Sequence, residues 1–191
     1  VEDIRPLIAL IAPWFGLIGI MLSGEKRANL RETITFVAAS VQAAVVLSML
    51  PIILGGSIIE FHIWQIFSYV PMLLRVDGPG LLFGCVASLL WIATTLYSIG
   101  YMRGLHEHAQ TRFYSFFALS LSATIGVAFS ANLLTIYFFY EMLSVSTFPL
   151  VTHMQDREAR TGGRTYLGYL LFTSLCLLLP ALSWCYVWLD G

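Results

Sequence analysis

The chain has 191 residues, 58% of them apolar and only 11% charged, with a formal net charge of −1 and a mean hydropathy of +0.81. A soluble domain carries roughly 25% charged residues, so this composition excludes an ordinary water-soluble domain and places the chain in a bilayer. The net charge says little about partners; where the charges sit says more, and no nucleic acid is expected among them.

The chain opens on Val1 and stops at Gly191 just after an apolar run, which reads as a fragment of something longer. Glu2 and Asp3 precede the first apolar run, where a secretory signal would be basic. Six membrane helices are expected, at 4–22, 33–54, 80–101, 113–129, 132–152 and 166–189. Each is long enough for a hydrocarbon core of ~30 Å at about 1.5 Å rise per residue, with the fourth at the short end. Backbone groups in lipid must be satisfied within their own segment, so helices are the expected solution. The fold class is therefore an all-α, polytopic membrane helix bundle.

The charges sort the connections onto two faces. The first loop, 23–32, carries Lys26, Arg27 and Arg31; the third carries Arg103 and Arg112; the fifth carries Arg157, Arg160 and Arg164. Of the 10 Lys and Arg residues, only Arg5 and Arg75 fall on the opposite side. The positive-inside rule then puts both termini outside the cytoplasm, in a cell inner (plasma) membrane. Between the second and third helices runs the long loop, 55–79. Its stretch Ile58-Ile-Glu-Phe-His-Ile-Trp-Gln-Ile-Phe67 alternates in part and is rich in β-branched and aromatic residues. That pattern suits a short hairpin or an interfacial segment, with Trp64 and Tyr69 at headgroup level. Ser130-Ala131-Asn132 leaves so short a connection that the helices on either side must be antiparallel neighbours.

Chemistry is sparse. The run from Asn132 to Thr152 holds Glu141, the one ionisable side chain deep inside any apolar run. A carboxylate at bilayer depth costs a few kcal/mol, so it pairs or faces a polar path. Balanced between desolvation and a cationic partner, such a group exchanges protons near neutral pH. Helical spacing adds the hydroxyls of Tyr137 and Ser144 to the same face. Pro149 leaves the Val145 carbonyl without its usual partner, one turn beyond. The plainer use of Glu141 is a hydrogen bond to a neighbouring helix. His153 closes the same helix and titrates near neutral pH, as a proton entry residue or as an interfacial group. Ser115, Ser120, Ser122, Thr124, Thr173 and Ser174 either line a wet path or serve as small interhelical contacts, the commoner use. Asp77, before Gly78-Pro79, suits a helix cap. Cys85, Cys176 and Cys185 form no CxxC pair, and His106 and His108 would point to opposite sides of a helix, so no metal site is expected. No dinucleotide, phosphate-loop or haem motif is present, so no cofactor is expected and any redox centre belongs to other subunits.

Three stretches carry a resemblance: Val76-Asp77-Gly78, Leu96-Tyr-Ser-Ile-Gly-Tyr-Met102, and Asn132-Leu133 followed by Phe138-Phe139-Tyr140-Glu141. Together they resemble the N-terminal part of the antiporter-like membrane subunits shared by respiratory complex I, Mrp-type Na+/H+ antiporters and membrane-bound nickel–iron hydrogenases. Tyr140 stands where many complex I members have Trp, which leans the resemblance toward the other two kinds. The resemblance implies a fold of about fourteen membrane helices with two inverted repeats that begin at the fourth, a common transporter design. Residues 1–112 would then supply the first three helices and the loop at 55–79, and 113–191 the first three helices of the first repeat. It also implies that Glu141 is the buried proton carrier, paired with a lysine on a helix beyond this chain. Lys26, the only lysine here, sits in a loop and cannot replace it. The expected function is a proton-translocating, or cation/proton antiporter-like, membrane subunit of an NADH:quinone oxidoreductase-like complex or an Mrp-type antiporter. Its partners would be other membrane subunits, the lipid bilayer, and H+ with Na+ as the alternative ion. A structural subunit that conducts nothing is the competing reading.

Overall fold

Satisfying every backbone group locally is what shapes this chain. In a computed structural model, residues 1–67, 70–105 and 107–189 are described, with side chains for all of these but 64–67, 70 and 189. The chain runs α1 (Arg5–Ser23), α2 (Ala28–Ser48), a short α3 (Leu50–Leu54), a hairpin of β1 (Ile59–Phe67) and β2 (Val70–Val76), α4 (Gly78–Gly104), α5 (Gln110–Ala128), α6 (Leu133–Val151) and α7 (Arg157–Thr173). A five-residue π-helical turn, Ser174–Leu178, joins α7 to α8 (Leu179–Leu189). The side chain of Trp64, and Tyr69 and His106, lie outside the described residues.

Among the described residues, five segments are long and apolar enough to cross a membrane: α1, α2 with α3, α4, α6, and α7 through α8. The fourth expected span is α5, which is less apolar because Gln110, Thr111 and Arg112 occupy its first turn. It packs against α1, α4 and α6, so its buried Ser115, Ser120 and Ser122 meet protein rather than lipid. The polytopic helix bundle is thus the fold, with one β-hairpin closing an end.

Two helices, α2 and α7, begin five residues or more before the apolar pattern indicates. The sequence places Arg31 and Glu32 in a loop; both are helical and buried in α2, Arg31 to 1% exposure. The Arg31 guanidinium donates to Gln110 Oε1 (2.5 Å) and Thr111 Oγ1 (3.3 Å) and lies 5.6 Å from the Tyr114 ring centre. Glu32 accepts from Arg103 Nε at 2.9 Å. Paired and hydrogen-bonded, these ions can leave water, which hydropathy by itself does not register. Likewise α7 starts at Arg157, where the Asp156 carboxylate accepts from Ala159 N at 2.6 Å as an N-cap. Arg157, Arg160 and Arg164 are therefore helical, not loop, residues.

The long second loop is the expected hairpin, antiparallel from Ile59↔Val76 onward, with irregularities after His62 and Gln65. Neither edge is left bare. On one side Glu60 N donates to Val1 O (3.0 Å) and Asp3 N to Glu60 O (3.3 Å). On the other, Arg75 N donates to Phe129 O (2.6 Å) and Ala131 N to Leu73 O (3.0 Å). Covered edges cannot recruit foreign strands. Beneath the hairpin, Met49, Ile59, Leu74, Val76, Leu81 and Phe129 form the larger core cluster.

Close helix approach supplies much of the remaining cohesion, as small residues do in membranes. A Cβ on Gly126 of α5 would lie 2.3 Å from the Phe139 ring of α6. Gly126→Val is expected to lower stability by about 1–3 kcal/mol through overpacking, read as a fall in the thermal unfolding midpoint in detergent. Gly100→Ala, where nothing lies within 4 Å of the new Cβ, is the control and should leave the midpoint unchanged or raise it.

Candidate functional site

The turn between α5 and α6 aims the helix that carries the carboxylate. Asn132 is the N-cap of α6: its Oδ1 accepts from Thr135 N (2.8 Å) and Thr135 Oγ1 (2.8 Å), while its Nδ2 donates to Pro71 O of β2 (2.7 Å). One side chain thus ends the turn, starts the helix and ties it to the hairpin. Further along, Ser120 of α5 and Ser146 of α6 share a buried hydrogen bond at 3.0 Å. Together with the Gly126–Phe139 contact, this fixes the rotation of α6 about its axis.

Glu141 sits near the middle of α6, half-buried, on the side that meets the last helix. The Ser174 hydroxyl donates to its Oε1, and the Tyr137 hydroxyl stands beside it from one turn earlier. Ser144 is buried on the next turn, but its hydroxyl donates to its own helix, to Tyr140 O at 3.0 Å. Among the described residues, no Lys, Arg or His nitrogen comes within 4.0 Å of the Glu141 carboxylate. Lys26 lies in the turn between α1 and α2. No group of three His, Cys, Asp or Glu residues capable of holding a metal occurs among the described residues.

Ser174 is the partner that apolar patterning did not single out from its neighbours. It begins the π-helical turn, a feature common at functional sites. A sequence signal does exist: Pro180 lacks an N–H and would clash with the carbonyl four residues back, at Cys176. Widening the helix just before Pro180 relieves that clash and swings Ser174 toward α6.

Ser115 is buried with no hydrogen-bond partner for its hydroxyl among the described residues, whereas the remaining candidate hydroxyls are structural ties. Ser122 donates to Leu10 O (2.7 Å) and accepts from Trp14 Nε1 (2.9 Å), pinning α1 to α5. Thr124 donates to Ser120 O and Thr173 to Tyr169 O, each within its own helix. Asp77 caps α4, accepting from Gly80 N at 2.8 Å. The three cysteines are free.

His153 lies in the turn after α6, roughly 18 Å along the helix from Glu141 by its rise per residue. It stacks on His108 (5.3 Å between centroids) and meets the Phe113 edge at 5.7 Å. Neither ring nitrogen has a hydrogen-bond partner among the described residues, while Arg112 donates to its carbonyl at 2.7 Å. Burial is the first cause that holds this imidazole below its ordinary 6.5, followed by Arg112 and His108; Glu107 and Glu25 pull the other way.

No family model matches the chain. An antiporter subunit, mnhA2, of Staphylococcus haemolyticus is 30% identical over 118 residues, 61% of this chain and 15% of that protein. Na(+)/H(+) antiporter subunit A1 of Staphylococcus aureus is 31% identical over 125 residues, 65% of this chain and 15% of that protein. A chain of the membrane-bound sulfane sulfur reductase, an archaeal respiratory membrane complex, superposes with a TM-score of 0.72 at 18% identity, covering 96% of this chain and 28% of that one. The resemblance to antiporter subunits holds in sequence over part of the chain, and the fold is similar to that of a chain in a respiratory membrane complex. The chain is a multi-pass membrane protein, and it spans only 15% of the two antiporter relatives and 28% of the respiratory-complex chain.

A lowered folded-state value means that neutral His153 contributes stability that is complete above about 6.5 and is lost as pH falls through the folded value. The hydrogen-exchange protection factor at the turn after α6, corrected for the intrinsic rate at each pH, is therefore expected to fall on acidification below neutrality. His153→Gln should abolish that pH dependence; an imidazole titrating at or above 6.5 by NMR would contradict the burial account.

Proposed function

We propose that this chain is part of a cation/proton antiporter-like subunit in a multi-subunit membrane complex, and that Glu141 is its buried proton carrier. The observation that carries the reading is a carboxylate at the middle of an apolar helix whose described hydrogen-bonding neighbours are hydroxyls and no cation. A charge there is costly unless it is exchanged or paired. Ser174, on the widened turn, is placed to hold Glu141 in one orientation; its hydroxyl can accept a hydrogen bond from the protonated acid or donate one to the carboxylate. The moving ion is H+, with Na+ as the alternative, and the partners are further membrane subunits and the lipid bilayer. Residues 1–112 serve as the supporting unit, and 113–191 as the start of the translocating repeat. The arginine-bearing helix ends face the cytoplasm in a plasma membrane, with both ends of this chain on the other side. On this reading Tyr137 positions the carboxylate, Ser144 lines its face, and His153 lies at the cytoplasmic end.

One observation favours a structural role instead: α7 packs on the bundle through α6, and the Glu141–Ser174 bond joins those segments. The two readings part on one substitution. Glu141→Gln in the assembled complex is expected to keep assembly and lose at least tenfold in proton transport per complex, a loss of about 1.4 kcal/mol or more in the barrier. Intact transport, or a loss explained wholly by failed assembly, rejects the carrier role. Ser174→Ala should assemble normally and shift the pH profile of transport without abolishing it; an unmoved profile removes Ser174 from the mechanism.

A further inference from the structure

Away from Glu141, six buried polar atoms lie along one seam between α2, α4 and α5. Gln42 Oε1, Ser88 Oγ, Trp91 Nε1, Thr95 Oγ1, Tyr114 OH and Arg31 Nε have no hydrogen-bond partner among the described residues. Each of these residues is at most 1% exposed. Their depths follow from the helix contacts. Val46 of α2 and Phe129 both face Gly84 of α4, and Glu32 meets Arg103 at the other end. One turn from Gly84 toward that end stand Gln42 and Ser88, at one depth on opposite walls. Arg31 and Tyr114, which meet across α2 and α5, lie about 16 Å further along. Trp91 and Thr95 continue the Ser88 face of α4 at helical spacing and occupy the interval. The residues packed with Trp91 and Tyr114 include the small Ala38, Ala39 and Ala118. Ser88 and Thr95 differ from Thr35, Thr94, Ser120 and Thr124, whose hydroxyls each return to the carbonyl four residues back. Gln42 uses only its Nε2 on a protein partner, the Ala9 carbonyl of α1 (3.2 Å).

We propose that ordered water molecules occupy this seam and bridge α2, α4 and α5. A polar atom left unpartnered in an apolar interior is costly, and several along one seam call for a common partner. The Trp91 and Arg31 nitrogens can only donate, Gln42 Oε1 can only accept, and the three hydroxyls do both. Water serves all three kinds, because it donates and accepts. An anion would satisfy the donors and leave Gln42 bare; a cation would do the reverse. Above Gln42 and Ser88 the seam is shut by Val46, Leu81 and Phe129. At the other end Arg31 closes it through its bonds to Gln110 and Thr111. The waters are therefore held in place, as a joint and not a conduit. All three walls belong to this chain and already enclose the seam, so subunits assembling around it leave its lining unchanged. The proposal does not depend on Glu141 carrying protons.

Radiolytic hydroxyl labelling of the protein in its native assembly, read by mass spectrometry, tests this, because a buried ring is oxidised where water lies against it. Trp91 and Tyr114 are expected to be labelled, while Phe139, buried against Gly126, stays unlabelled. Thr95→Val and Ser88→Ala each replace a hydroxyl by an apolar group of similar size, and the sign of their effect separates a wet seam from a dry one. With water bound, each substitution removes one of its partners and lowers the thermal unfolding midpoint by about 2–4 °C. In a dry seam each relieves an unpartnered hydroxyl and raises the midpoint. Thr94→Val, whose hydroxyl is already returned to Leu90 O, is the control and should leave the labelling of Trp91 and Tyr114 unchanged. The parent's labelling decides the matter even where a variant fails to assemble. If Trp91 and Tyr114 stay as unlabelled as Phe139, or if Thr95→Val and Ser88→Ala raise the midpoint, the seam is dry and the proposal is overturned.

Discussion

The half of the molecule that carries Glu141 hangs on the turn between α5 and α6. Four residues, 129–132, reverse the chain there, and Asn132 meets two demands at once, capping α6 and binding the Pro71 carbonyl of the hairpin. Because the hairpin also accepts and donates main-chain bonds at Phe129 and Ala131, the start of α6 cannot rotate independently of β2. A side chain in mid-helix has no other means of being aimed. Its direction follows from where its helix begins and how that helix seats on its neighbour. The Gly126–Phe139 approach and the Ser120–Ser146 bond complete the seating.

The opposite end of the bundle is organised by ions rather than by strands. Arg31 and Glu32 are drawn into the protein with Gln110, Thr111 and Arg103, locking the base of α2 to those of α4 and α5. Buried charges of this kind are costly when one partner is lost and give little net stability when paired. Their effect here is to fix register between helices whose apolar faces alone would tolerate sliding. His153 and His108 lie at the same end, against Phe113 of α5. Each end of the bundle therefore has its own polar device, and the apolar spans between them are held by small-residue contacts.

How much of this was legible in the sequence depends on how local the cause was. Apolar runs of sufficient length marked the spans, because hydrocarbon demands that each segment satisfy its own backbone. Alternation and β-branching marked the hairpin, Asp77 its helix cap, and the isolated carboxylate the candidate site. What escaped were consequences of distant partners. Arg31 and Glu32 looked like loop residues because their partners lie about eighty residues further on, at Gln110 and Thr111, and about seventy on, at Arg103. Arg157 to Arg164 looked like loop because a capped, polar helix start has no apolar signature.

The sequence by itself determined that this is a polytopic membrane chain with one carboxylate deep in an apolar helix, and where along the chain the positive charges cluster between the apolar runs. These follow from composition and order along the chain, which no folding can alter. Only the tertiary structure decided what the carboxylate meets. The choice of Ser174 over Thr173, and Ser144 turning back to its own helix, depend on a π-helical turn before Pro180 and on the seating of α7 against α6. A widened turn rotates every side chain beyond it, and the strength of a hydrogen bond depends on that rotation more than on residue type.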